Sequence, residues 1–484
     1  MTSPASFYWH DYETTGADPR RDRPLQFAGA RTDAELNLIE EPRVLHCRPP
    51  RDLLPAPGAC VVTGVAPQHA EAEGLHEAGF AAAVLEELAR PGTCGVGYNS
   101  LRFDDEVSRH LFWRNLHDPY AREWRHGNSR WDVIDVFRLA RALRPEGLEW
   151  PEREPGVPSF RLEDLARANG LEHDAHDALG DVLATIELTR RLRAAQPRLF
   201  EFALAGRDRR RAAALLSPDD PEPVLHVSGR YPARRGCIAP VAALAMHPQD
   251  RNAVIVVDLM SDPRPLLELD AETLTRHLFT PAAQRASDDP AIPLKIVKLN
   301  RAPVLAPMNT LPRDARRRLG LDPDVARSHL AELRRVDDLP ARLRAVYAPP
   351  ERGAEDADVA LYDGFVSDAD RARMDRVHRS APGDLAALDP EFEDPRLRTL
   401  YFRYRARNWP ATLAPAEAEA WRELRWRRLC RGEAGSPRTR GAFCRELAEL
   451  QASGDIDAGL ADALSEWDAE LFRDLPACKA DDAA

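Results

Sequence analysis

An aromatic run that ends in two acids constrains this chain more than any other stretch: Phe7-Tyr8-Trp9-His10-Asp11-Tyr12-Glu13, followed by Thr14-Thr15-Gly16. The apolar run reads as a strand and the Thr-Thr-Gly segment as a turn. Side chains at i and i+2 of a strand share a face, so Asp11 and Glu13 project together from its end. Two such acids repel each other unless a cation sits between them, and a hard divalent ion such as Mg²⁺ takes carboxylate oxygens and water. A solvated strand end is the plainer reading of Asp-x-Glu by itself. Acids further along the chain bear on the choice.

At 484 residues the chain exceeds what one core supports, and roughly three domains is the expectation from length. Residues 1–200 carry an α/β pattern, with strand-like runs at 6–11, 26–32, 44–47 and 93–98. Helical periodicity appears at 75–89, 104–113, 133–143 and 162–169, and a long amphipathic helix spans 178–195. Val61-Val62-Thr63-Gly64-Val65 reads as a loop. The proline-rich linker 217–223 breaks regular structure. Within 201–352, short β runs at 224–227, 238–245, 253–258 and 294–299 alternate with helical stretches at 270–278 and 323–334. From 356 to 475 only helical patterns remain, at 368–377, 395–405, 415–429, 440–453 and 457–474. The tail from Ala477 reads as loose.

No apolar run is long enough to span a bilayer, and no basic-then-apolar segment opens the chain. Seven scattered cysteines, never in a Cys-x-x-Cys pair, argue against a disulfide framework or zinc knuckle and fit a reducing cytoplasm. A net charge of -12 excludes a protein that coats nucleic acid by bulk electrostatics, while leaving room for a local basic groove. Arginine carries nearly all the positive charge, with clusters at Arg207, Arg209, Arg210 and Arg211 and at Arg230, Arg234 and Arg235. A solvated helix face explains any one cluster equally well.

Two further acidic elements share the α/β region. Asn99-Ser100-Leu101-Arg102-Phe103-Asp104 follows an apolar strand. It puts Asp104 at a strand-to-helix junction, where open α/β sheets gather ligands; a helix cap is the structural alternative. His176-Asp177-Ala178-Leu179-Gly180-Asp181 opens the long helix. His176 and Asp181 converge only if His176 lies on the entering loop, with Asp174 or Asp177 as the cap. A histidine so placed titrates near neutrality and suits a general base.

Asp11, Glu13, Asp104 and Asp181 with His176, in this order and spacing, resemble the DEDDh family of 3′–5′ exonucleases. The chain is similar in particular to the bacterial exodeoxyribonuclease I group. That similarity also runs through 22–27, 98–107, 128–132 and 158–163, and outside the nuclease region through 226–229, 247–259, 265–270, 361–370 and 404–408. The resemblance implies a ribonuclease-H-like α/β exonuclease domain at 1–200, an SH3-like β-rich barrel with helical additions at 201–352, and an all-α C-terminal domain at 356–475. It implies two Mg²⁺ ions, for which Mn²⁺ can substitute, held by Asp11, Glu13 and Asp181, with Asp104 completing the second site. His176 would then take the proton from the attacking water.

The implied activity is single-strand-specific 3′–5′ hydrolysis of DNA to 5′-mononucleotides by a cytoplasmic monomer, in DNA repair and recombination. By matching position, Arg161, Arg109, Tyr120, Trp124 and Arg138 would contact DNA, beside Glu13. Tyr120 and Trp124 serve equally as core aromatics, and Arg109 can pair with Glu106 across one helical turn. The resemblance also implies docking of the acidic C-terminal tail of single-stranded DNA-binding protein. Pro312 and Glu222 stand where basic residues are expected for that contact, with Arg313 next to Pro312 as a substitute. An exoribonuclease of the same superfamily and a non-catalytic DNA-binding scaffold are the competing classes.

Overall fold

The computed structural model describes residues 4–171, 177–281, 284, 286, 289–348, 353 and 355–478. The first part of the chain forms β1 (Ser6–Thr14), β2 (Pro24–Thr32), β3 (Arg43–His46), α1 (Pro57–Thr63), α2 (Pro67–Glu73), α3 (Glu77–Leu88), β4 (Thr93–Gly97) and α4 (Asp104–Arg114). It continues through β5 (Ser129–Asp132), α5 (Ile134–Leu143), β6 (Glu152–Glu154), β7 (Val157–Pro158), α6 (Leu162–Ala168) and α7 (Ala178–Ala195). The chain divides into two units. One comprises Pro4–Ser129, His173–Leu183 and Gly353–Ala484; the other is formed mainly by Arg130–Glu172 and Ala184–Arg352.

In the unit that begins at Pro4, the strands follow the order β3-β2-β1-β4. β1 runs antiparallel to β2, with Asp11 opposite Ala28 and Glu13 opposite Gln26, and parallel to β4 from Ser6 to Trp9. Alternation along β1 sends Tyr8 and Tyr12 into a core with Phe27, Phe80, Val84, Val107 and Leu111. The same geometry puts Asp11 and Glu13 together on the opposite face.

The segment 61–65, expected as a loop, instead ends a short helix. Pro57 occupies the first turn of α1, where its missing N–H costs nothing, and Gly64 closes the helix in the left-handed region at φ 66°. The C-terminal helices Asp368–Arg379, Pro395–Asn408, Pro415–Arg431, Arg440–Ser453 and Ala458–Leu471 belong to this unit. They share cores with its N-terminal part: Trp113 and Leu116 pack with Met374, Leu397 and Leu400, while Leu54 and Cys60 pack with Leu429, Phe443 and Trp467.

One departure concerns the cysteines. Cys430 and Cys478, 48 positions apart in sequence, are joined in a disulfide. The tail read as loose is therefore tied at Cys478 to the end of the helix Pro415–Arg431, a pairing that spacing does not reveal.

The other unit is built on the antiparallel sheet β11-β10-β9-β8-β12, comprising β8 (Val224–Val227), β9 (Ile238–Met246), β10 (Ala253–Asp258), β11 (Leu294–Lys298) and β12 (Leu305–Pro307). Both sheet faces are covered. Val254 and Val256 enter one core with Val224 and Val241, whereas Ile255 and Val257 enter a second with Leu266, Leu274, Leu330 and Leu343. Burial on two sides explains why β10 is an unbroken apolar run.

Candidate active site

β4 leaves β1 after the Trp9–Val96 pair, and Asp104 enters the site at the start of α4. The backbone N–H of Tyr12, between the two acids, donates to Oδ1 of Asp104 at 3.1 Å. The Tyr12 hydroxyl lies 3.0 Å from Oγ of Ser108, one turn further along α4. These two hydrogen bonds fix the start of α4 against the acidic end of β1. Phe103 occupies the cap position of α4, so Asp104 is the first residue of the helix and not its cap.

Asp177 is the cap of α7: its carboxylate accepts the Gly180 N–H at 3.1 Å, and its carbonyl accepts the Asp181 N–H at 3.0 Å. Asp181 thus lies in the first turn of α7. His176 lies outside the described residues.

Electrostatics join the four carboxylates into one group. Burial and then Asp181 raise Asp11 far above the ordinary aspartate range, opposed by the Tyr12 backbone. Burial, Asp11, Asp181 and Asp177 push Glu13 up to about 9. Asp104 is likewise held well above its usual value, by burial first and then by Asp11. No guanidinium figures among these causes. Mutual repulsion in a partly dry site is the state that a hard divalent cation relieves, so the donor set fits such an ion. Among the described residues no three His, Cys, Asp or Glu converge as a ready-made cage. Hydrolytic sites, unlike structural ones, leave positions for water and substrate.

The expected DNA contacts divide. Trp124 is 62% exposed, with the Arg125 guanidinium 5.5 Å from its ring, and is no core residue. Tyr120 is half-buried, packs beside the core around Trp113, and has Arg109 5.3 Å from its ring. Arg109 makes the pairing with Glu106 that helical spacing allows, and further bonds beside it. It is buried, its Nε and Nη2 donate to Glu123 at 2.7 and 2.9 Å, and its Nη1 donates to Glu106 at 2.9 Å and to Tyr362 at 3.1 Å. A guanidinium so bonded joins α4 to Glu123 and Tyr362.

Arg138 donates from Nη1 to Asp135 at 2.6 Å, and its guanidinium lies over Phe160. Arg161, at the start of α6 in the other unit, is 68% exposed and 3.8 Å from Glu163, a position open to a phosphate. Sequence reasoning missed Tyr12 and Ser108 as the frame for Asp104, although Ser108 follows Asp104 at helical spacing. It also missed Phe365, 94% exposed in the segment before the helix Asp368–Arg379.

Residues 8–189 match the family described as Exonuclease, residues 207–349 the Exonuclease I SH3-like domain, and residues 355–471 the Exonuclease I C-terminal domain. Exodeoxyribonuclease I of Escherichia coli K12 is 48% identical over 424 residues, covering 87% of this chain and 89% of that protein. The moderately thermophilic exonuclease I of Methylocaldum szegediense superposes with a TM-score of 0.92 at 48% identity, covering 97% of this chain and 100% of the other. The zinc-bound complex of E. coli exonuclease I with single-stranded DNA superposes with a TM-score of 0.91 at 44% identity, covering 97% and 100%. The first region is therefore a ribonuclease-H-like nuclease domain, the five-stranded sheet an SH3-like domain and the last region the family's helical domain, and the chain belongs to the exodeoxyribonuclease I family of exonucleases.

Proposed function

We propose that Asp11, Glu13, Asp104 and Asp181 form the hydrolytic centre of this enzyme, a 3′–5′ exonuclease of single-stranded DNA that releases 5′-mononucleotides. The observation that carries the reading is the seating of Asp104 on the backbone between Asp11 and Glu13, with the charge of Asp181 acting on both acids.

Asp11, Glu13 and Asp181 would hold divalent ions, Mg²⁺ in the first place, and Asp104 would complete the second position. When bound, a pair of such ions supplies a nucleophile at neutral pH and neutralises charge on the phosphorus oxygens and the leaving oxygen. The Tyr12 N–H keeps Asp104 turned toward β1, and the buried Tyr12–Ser108 contact holds the α4 start in register. His176 would accept the proton of the attacking water. His176→Ala should then slow cleavage by roughly 10²–10⁴-fold, measured as single-turnover rate; an unchanged rate assigns the proton to another group.

Ion binding must expel the protons that the crowded carboxylates retain. With Glu13 at about 9, metal affinity should rise steadily from about pH 6 to pH 9. Calorimetry in buffers of different ionisation enthalpy would register the released protons. Pre-deprotonated ligands would give a flat profile.

Exposed Trp124 and Phe365 supply faces on which unpaired bases can stack. Each alanine variant should weaken oligonucleotide binding by about 1–3 kcal/mol, read by fluorescence anisotropy. A cytoplasmic monomer acting in repair and recombination is the setting we assign. Docking of an acidic peptide from single-stranded DNA-binding protein is part of the same proposal.

The test of substrate and polarity is a 5′-labelled single-stranded DNA oligonucleotide beside a blunt duplex and an RNA of the same sequence. Shortening from the 3′ end confined to single-stranded DNA supports the assignment. Trimming of RNA alone would replace it with an exoribonuclease.

A further inference from the structure

β1 and β2 slip register between Glu13 and Thr14, so the direction of the Glu13 carboxylate depends on where the chain is anchored just beyond the bulge. That anchor is Thr15, which is fully buried. Its N–H donates to the Arg23 carbonyl at 2.8 Å, its Oγ1 donates to Asp22 at 3.1 Å and accepts the Arg23 N–H at 2.9 Å, and its carbonyl accepts the Ala56 N–H at 2.7 Å.

The one long side chain in this set comes from the far end of the sequence. Arg438 lies in the loop between the helices Pro415–Arg431 and Arg440–Ser453, within the same unit. Its Nη1 donates to the Thr15 carbonyl at 3.2 Å and to the Leu54 carbonyl at 2.6 Å, and its Nη2 donates to Asp22 at 3.2 Å. Gly16 leaves the space for it: a Cβ there would stand 2.5 Å from the Asp22 carboxylate and 2.6 Å from the Arg438 guanidinium. The Asp22 carboxylate also receives the Asp18 N–H at 3.0 Å, so one buried acid and one arginine gather the turn 14–22.

We propose that Arg438 is a positioning residue for Glu13, through which the C-terminal helical region sets the geometry of the hydrolytic centre. The fork reaches two carbonyls and a carboxylate at once, which a single ammonium does less completely. Residues that orient metal-binding carboxylates without touching the ion alter metal affinity and turnover more than they alter substrate binding. The inference rests on the proposed role of Glu13.

The decisive comparison is wild type, Arg438→Met, Arg438→Lys and Arg440→Met. Arg440, two positions on, makes a paired contact with Asp468 at 2.7–3.0 Å and, among the described residues, no hydrogen bond to the β1 turn, so its variant controls for loss of an ion pair in the same helical region. Each protein is measured for Mn²⁺ affinity by calorimetry, for kcat and KM on a single-stranded oligonucleotide, and for melting temperature. Arg438→Met should weaken Mn²⁺ binding and lower kcat by about tenfold each, with KM within about twofold of wild type. Arg438→Lys should recover part of both losses. Arg440→Met should lower the melting temperature without moving either quantity. Wild-type kcat and Mn²⁺ affinity in Arg438→Met, or equal losses in Arg440→Met, would overturn the proposal while leaving the hydrolytic assignment intact. A wild-type protein that neither binds Mn²⁺ nor cleaves would overturn both.

Discussion

Asp181→Ala should reduce cleavage of single-stranded DNA by on the order of 10³-fold, leave oligonucleotide affinity nearly unchanged, and make the metal-free protein more stable. The three effects share one cause. Asp181 lies in the first turn of α7 and adds negative charge to Asp11 and Glu13. Removing it deletes a carboxylate proposed to hold the divalent ion and at the same time relieves repulsion among the acids. Without metal, Glu13 has a folded pKa raised to about 9. Its contribution to stability is therefore fully present below the ordinary glutamate value and is lost as pH rises through about 9. The variant should flatten that loss, so melting curves in chelator at pH 6 and pH 9 would separate it from wild type more at pH 9. A variant that loses activity and also melts earlier at both pH values would mean that Asp181 serves the fold and not the ion.

The second large effect concerns Asp358, far from the hydrolytic acids in sequence. It is 2% exposed and makes ion pairs with Arg23 at 2.9 Å, Arg403 at 3.1 Å, Arg407 at 2.5 Å and Arg428 at 3.2 Å. Asp52, fully buried, receives Arg407 at 2.8 Å and Arg428 at 3.1 Å. Burial alone would raise the Asp358 pKa, but Arg407, Arg403, Arg23 and Arg428 outweigh it and hold the group well below the ordinary range. Asp358→Ala leaves several buried guanidinium groups short of a partner and should cost about 3–5 kcal/mol, read as a shift of the denaturant midpoint. The sign in pH follows from the depressed value. Stability from Asp358 is present above the ordinary aspartate pKa and disappears as pH falls through the lower folded one, so Asp358→Asn should lack that part of the acid unfolding limb. A variant as stable as wild type would show that these arginines find other acceptors at no cost.

The acids of the proposed hydrolytic centre are legible in sequence for a local reason. Asp11 and Glu13 announce themselves by period two on an apolar strand, and Asp104 by its junction between β4 and α4. Asp177 and Asp181 follow from the rule that a short polar side chain opens a helix. Each inference uses fewer than ten neighbouring residues. What stayed hidden depends on pairs that chain order does not bring together. The pair of Arg109 with Glu106 can be read from helical spacing, but Glu123 and Tyr362 reach it from elsewhere in the fold. Nothing near Asp52 or Asp358 in sequence signals their burial, because the arginines that permit it come from as far as Arg428. Cys430 and Cys478 carry no spacing signature. The segment 61–65 reads as a loop because Gly64 suggests a turn, although Pro57 and Gly64 together mark a helix start and stop.

The measurement that bears most directly on the hydrolytic centre is a Mg²⁺ titration followed on one preparation by calorimetry and by cleavage of a 5′-labelled single-stranded oligonucleotide. Two binding events accompanied by proton release, with cleavage rising as the second fills and vanishing in chelator, are the expected result. Full-rate cleavage in chelator, or cleavage indifferent to Mg²⁺ occupancy, would contradict the assignment of Asp11, Glu13, Asp104 and Asp181.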